Sequence, residues 1–191
     1  MSVGDFIYYE SVLPKESCDS LIRFFDDNKH LQGLGMMGVN RPIGSLEISL
    51  QPKDQSDYFG LGKSVGKGID SYSKIYPLVN TNVGDWTTFH TCQFAKFEPN
   101  KYYSHTHCEN SFNASDISTR CFAWMIYLNT IKDGGGTEFI HQNFTTNPIA
   151  GDMYIWPAGW THMHRGVNAP NECKYTITAV SYTHLTLPTK A

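Results

Sequence analysis

Residues 120–131, RCFAWMIYLNTI, constrain the fold more than any other stretch. Apolar side chains follow one another almost without interruption. Neither face of such a strand can be left in water, so it reads as a central strand covered on both sides. A sheet must then surround it, and the neighbouring segments supply one. WTTFHTCQFAKF (86–97) is rich in threonine and aromatic residues. NFTTNPIAGDMYIWP (143–157) holds two strands about a turn at Ala150-Gly151-Asp152, and CKYTITAVSY (173–182) is the last strand. These are β-forming compositions at regular spacing, the pattern of a sandwich or barrel.

The first half reads differently. DFIYYESV (5–12) is a short strand and SLEISL (45–50) a second one. Between them, Cys18, Leu21, Ile22 and Phe25 recur at helical spacing. Pro14 suits the first helical position, and Glu16 suits the positive end of the helix dipole. A second helix is predicted over about 57–76, where Phe59, Leu61, Val65, Ile69 and Tyr72 form an apolar face despite internal glycines. Residues 31–44 are glycine-rich and irregular. No repeat or linker divides the chain, so 1–180 is expected to form one domain. The tail 181–191 reads as a non-native appendage, which removes His184 from the chemistry.

A formal net charge of −3 gives no basic face for nucleic acid or an anionic membrane. No stretch approaches the ~18 apolar residues of a membrane span. The start lacks the basic and apolar segments of a signal peptide, which points to the cytoplasm. Cys18, Cys92, Cys108, Cys121 and Cys173 form no CxxC pair and read as free thiols.

Two short motifs carry the chemistry. HTHCEN (105–110) offers His107 and Glu109 at i and i+2, which point the same way from an extended segment. Choosing His105 with His107 instead would leave no close carboxylate. THMHRG (161–166) offers His162 and His164, which share one strand face. Two histidines and a carboxylate form the facial triad of non-haem Fe(II) oxygenases, which leaves coordination positions open. The spacing also admits zinc. Lys174 lies ten residues after His164, and Thr176 shares its face. Together they could fix the far carboxylate of a dicarboxylate cosubstrate. Gly134, Gly135 and Gly136 lack the lysine of a phosphate loop and read as a turn.

The chain resembles the prolyl-4-hydroxylase-type branch of the 2-oxoglutarate/Fe(II) dioxygenases, particularly small members from phages and marine bacteria. The resemblance spans roughly 6–180 and rests on the order and spacing of LPKESCDSLI, SLEISL, FEPNKYYSHTHCEN, RCFAWMIYLN with GGGTEF, PIAGDMYIWPAGWTHMHRG and KYTITA. It implies a mainly β fold, a double-stranded β-helix (jelly-roll) with N-terminal α-helices packed on it. It implies iron ligands at His107, Glu109 and His164, with His164 chosen over His162 because Gly166 and Lys174 follow at the family's spacing. Lys174, Thr176 and Tyr127 would hold 2-oxoglutarate. His105, Arg120 and Trp160 are candidates for the substrate mouth. The cofactors implied are Fe(II), 2-oxoglutarate and O2, with ascorbate as an optional reductant. The substrate would be a peptide of prolyl type or a small molecule, hydroxylated with release of succinate and CO2. Three departures stand out. Glu109 replaces the usual aspartate, Phe97 replaces a tyrosine that would bond the cosubstrate, and the YYSHTH approach is one residue longer. The rival readings are a non-catalytic ligand-binding jelly-roll and a zinc hydrolase.

Overall fold

The computed structural model describes residues 2–33, 44–49, 58–82, 86–87, 91–110 and 119–183. In chain order the elements are β1 (Ser2–Gly4), β2 (Ile7–Ser11), α1 (Lys15–Asp27), β3 (Gly44–Ser49), α2 (Leu61–Ile75), α3 (Leu78–Asn82), β4 (Trp86–Thr87), β5 (Thr91–Phe97), β6 (Arg120–Tyr127), β7 (Thr137–Phe139), β8 (Phe144–Thr145), β9 (Asp152–Pro157), β10 (His164–Gly166) and β11 (Lys174–Thr183). The larger sheet runs β1-β2-β9-β6-β11-β5-β3, with β4 also pairing β11. The smaller sheet runs β10-β7-β8. Every pairing is antiparallel. The fold is mainly β, as the sequence indicates.

The long apolar run becomes β6, between β9 and β11, and Phe122 to Tyr127 are all buried. Alternation sends its side chains to two separate cores. Phe122, Trp124 and Ile126 join Ile155 and Ile177 beneath the helices. Ala123, Met125 and Tyr127 join Phe139, Tyr154 and Trp156 on the other face, where β7 of the smaller sheet packs. The double burial thus has a distinct cause on each side.

The helices are held by that first face. A helix of 13 residues such as α1 is marginal alone. Burial of Cys18, Leu21 and Phe25 fixes it, with Phe25 4.6 Å from the Phe94 ring centre. Pro14 caps α1 rather than opening it. In α2, Leu61, Val65, Ile69 and Tyr72 are buried, whereas Phe59 sits before the helix, exposed, at φ 52°. One internal glycine has a packing cause. A Cβ on Gly68 would lie 2.6 Å from Met153 Sδ on β9. The glycine that weakens the helix also lets it approach the sheet closely.

The expected boundary at residue 180 falls within β11. That strand continues to Thr183, with Ser181 fully buried and Tyr182 paired with Arg120 and Thr87. Residues 184–191 lie outside the described residues, as do 34–43 of the glycine-rich segment.

Candidate metal centre

His107 and His164 meet because two chain segments form a one-residue antiparallel bridge. His107 N–H donates to His164 O at 3.0 Å, and His164 N–H donates to His107 O at 2.9 Å. The bridge is tied further by Gly166 N–H to Tyr103 O at 2.7 Å. A Cβ on Gly166 would lie 3.0 Å from that same oxygen, so a side chain there would press on the approach segment.

The imidazoles are oriented from behind. His107 Nδ1 lies 2.9 Å from His105 O, and His164 Nδ1 lies 2.9 Å from His162 O. A carbonyl only accepts, so each Nδ1 carries a proton, which leaves each Nε2 as the atom that can bind a metal. Both Nε2 atoms face Glu109, whose Oε1 lies 3.4 Å from His107 Nε2 and 3.6 Å from His164 Nε2. Ligand atoms of the three residues all lie within 4.8 Å of one another. Burial opposes ionisation of Glu109, but the two imidazoles outweigh it and hold the carboxyl well below its usual range. Burial likewise opposes charge on His107, and Glu109 outweighs it, raising the imidazole. Two imidazole nitrogens and one carboxylate on one side of a cavity suit an octahedral Fe(II) with open positions.

His162 is occupied elsewhere. Its Nε2 donates to Asp5 O at 2.7 Å, and its Nδ1 lies 2.9 Å from Thr161 Oγ1. Burial lowers its pKa, in keeping with a neutral ring. It pins the N-terminal turn and stays out of the cluster.

The cluster opens into a cavity of about 920 Å³ between the sheets. Lys174 and Thr176 line it from β11. Lys174 is 4% exposed, and no acid among the described residues pairs with it. Its Nζ sits 4.7 Å over the ring of Phe97, its cross-strand partner. Burial pushes its pKa down to about 8. An isolated buried cation is costly unless a partner arrives. The cavity therefore brings together a His-His-Glu cluster that could hold a metal ion and a buried lysine with no acidic partner among the described residues.

Tyr127 does not line the cavity. Its hydroxyl is 2.6 Å from Thr146 Oγ1 and 3.2 Å from Thr137 Oγ1, and Thr137 does line it. Arg120 lines the cavity beside Glu109. His105 and Trp160 do not line it. Both are exposed, and the Trp160 ring lies 6.4 Å from His141. Leu31 and Gly33 bring the start of the glycine-rich segment to the wall. Two further rings stand beside the histidines: Tyr103, 4.6 Å from His107, and Trp156, 5.2 Å from His164. Tyr103 stands four residues before His107, a visible proximity. Trp156 is brought in by β6–β9 pairing, which short motifs do not encode.

Residues 92–182 match the 2OG-Fe(II) oxygenase superfamily. No curated protein sequence matches the chain. Among solved structures, the viral collagen prolyl hydroxylase of Paramecium bursaria Chlorella virus-1, in complex with 2OG, is similar at TM-score 0.69 and 15% identity, covering 95% of this chain and 98% of that one. A Pseudomonas putida prolyl-4-hydroxylase matches at TM-score 0.62 and 14% identity, over 94% and 93% of the two chains. A Trichoplax adhaerens prolyl hydroxylase, in complex with a hypoxia-inducible-factor peptide fragment, matches at TM-score 0.68 and 17% identity, over 94% and 84%. These likenesses lie in the fold.

Proposed function

We propose that this chain is a 2-oxoglutarate/Fe(II) oxygenase, the superfamily that residues 92–182 match, and that it hydroxylates a prolyl-type residue in a peptide, using His107, Glu109 and His164 as iron ligands. The carrying observation is Lys174, a buried lysine in the same cavity as the triad with no acidic partner among the described residues. Hydrolysis at a zinc ion has no need of it, whereas a dicarboxylate cosubstrate does. Bound at the triad, Fe(II) supplies the redox chemistry that couples oxidative decarboxylation of 2-oxoglutarate by O2 to hydroxylation, with succinate and CO2 released.

The chain's own part is binding, orientation and exclusion of water. Lys174 pairs with the far carboxylate of 2-oxoglutarate, and Thr176 adds a hydroxyl from the same strand face. Thr137 is a further donor, its hydroxyl oriented by Tyr127, which in turn rests on Thr146. Tyr127 is thus a positioning residue. Phe139 and Trp156 pack against His164 at 5.4 Å and 5.2 Å and keep water from its ring. The peptide reading draws on the fold shared with prolyl hydroxylases, one of them bound to a peptide fragment.

The test is turnover with synthetic peptides. Succinate formation is expected to rise with proline-containing peptides and to fall to the uncoupled level when proline is replaced by alanine. Equal turnover with both would remove the prolyl assignment.

A pH dependence follows from Lys174. Only the charged lysine pairs with the carboxylate, and in the free protein burial lowers its pKa to about 8. Affinity for 2-oxoglutarate is expected to fall as pH rises past that value, by about tenfold per unit once the neutral form dominates. Calorimetry above pH 8 should show proton uptake on binding. The free protein itself should gain stability over the same rise, because neutralising the buried lysine relieves its desolvation. A flat affinity from pH 7 to 10 would count against this role.

A further inference from the structure

The two oxygens of Glu109 face different partners. Oε1 looks towards both imidazoles, whereas Oε2 lies 3.7 Å from Arg120 Nη1. The same Nη1 donates to the Glu109 backbone carbonyl at 3.2 Å. Arg120 is anchored in return, since Asn110 Nδ2 donates to its carbonyl at 2.8 Å. Its guanidinium also lies 5.9 Å over the ring of Tyr182, its partner on β11.

From this arrangement we propose that Arg120 is a positioning residue that keeps Glu109 monodentate, holding Oε2 so that only Oε1 reaches the metal. A carboxylate can bind a cation through one oxygen or both. Three protein atoms on an octahedral ion leave open positions for a chelating cosubstrate and for O2. A second Glu109 oxygen would take one of them. The extra methylene of glutamate makes that swing easier, and the guanidinium offers Oε2 a competing partner. The inference rests on the oxygenase reading above.

Co(II) serves as an air-stable probe whose visible absorption reports coordination number. Co(II) affinity and 2-oxoglutarate affinity of the loaded protein would be measured for the native chain, R120M, E109D and E109D/R120M. R120M is expected to retain Co(II), shift its spectrum, and lose 2-oxoglutarate affinity by about 10- to 100-fold, the usual range for an outer partner of a metal ligand. In the E109D background the shorter carboxylate no longer reaches the guanidinium, so adding R120M should change nothing. Thermal unfolding accompanies each variant. If R120M does not fold, R120K carries the comparison, with full Co(II) binding and weakened 2-oxoglutarate expected. The proposal is overturned if the folded Arg120 variant matches the native chain, if it loses Co(II) as much as 2-oxoglutarate, or if the effect persists with E109D. A native chain that binds Co(II) but no 2-oxoglutarate would overturn the oxygenase reading as well. Chelation by the native chain with no change in R120M removes only the Arg120 assignment.

Discussion

Lys174→Met is expected to abolish useful 2-oxoglutarate binding while leaving metal affinity nearly intact. Removing one partner of a buried charge pair typically costs about 2–5 kcal/mol, which is on the order of thirtyfold to several thousandfold in Kd. The free protein should respond in the opposite direction. Lys174 is 4% exposed and has no acidic partner among the described residues, so its charge is a desolvation cost until the cosubstrate arrives. Methionine has similar reach, and its thioether can rest on the Phe97 ring where Nζ now sits at 4.7 Å. The variant should therefore melt higher than the parent in the absence of ligand. Anaerobic titration with Fe(II), then 2-oxoglutarate, followed by the visible charge-transfer band of the chelate, separates the two affinities. Equal losses of metal and cosubstrate would mean that Lys174 supports the fold or the triad instead.

That opposition, expected of a residue that weakens the free protein and serves the bound one, was only half legible in the sequence. The spacing from His164 to Lys174 and the period-two relation of Lys174 to Thr176 could be read directly, because a strand maps sequence distance onto one face. The strand itself was legible from the composition of 173–182, and β6 from its unbroken apolar run. The unpaired state of the lysine was not. It depends on Phe97 standing opposite on β5, which is a matter of cross-strand register. Thr137 was hidden for a related reason. It ends a glycine run that reads as a turn, and it enters the site only because Tyr127 and Thr146 converge on it from β6 and the segment after β8. Trp160 misled in the other direction. It lies four residues before His164, yet the short 3-10 turn Trp160–His162 leaves its ring outward and 61% exposed. Sequence proximity predicts spatial proximity along an extended strand and fails across such a turn.

The pair His162 and His164 shows the same limit, and it yields the sharpest contrast. His164→Ala removes a nitrogen that faces Glu109 Oε1 at 3.6 Å. Metal affinity should fall by more than the roughly 10- to 100-fold typical of losing an outer-shell partner, and turnover should vanish. Stability should change less, since Phe139 and Trp156 still close the wall. His162→Ala should do the reverse. Its ring binds Asp5 O and Thr161 Oγ1, so truncation removes two part-buried hydrogen bonds, each at a cost of about 0.5–1.5 kcal/mol. The metal site should survive, because His164 Nδ1 is held by the backbone carbonyl of residue 162, which alanine retains. Metal titration and thermal unfolding of both variants make a two-by-two comparison. A crossed result, with metal lost in one and melting temperature in the other, fits the assignment. Metal loss in His162→Ala at unchanged stability, with His164→Ala still loading, would exchange the two histidines and remove the triad proposed above.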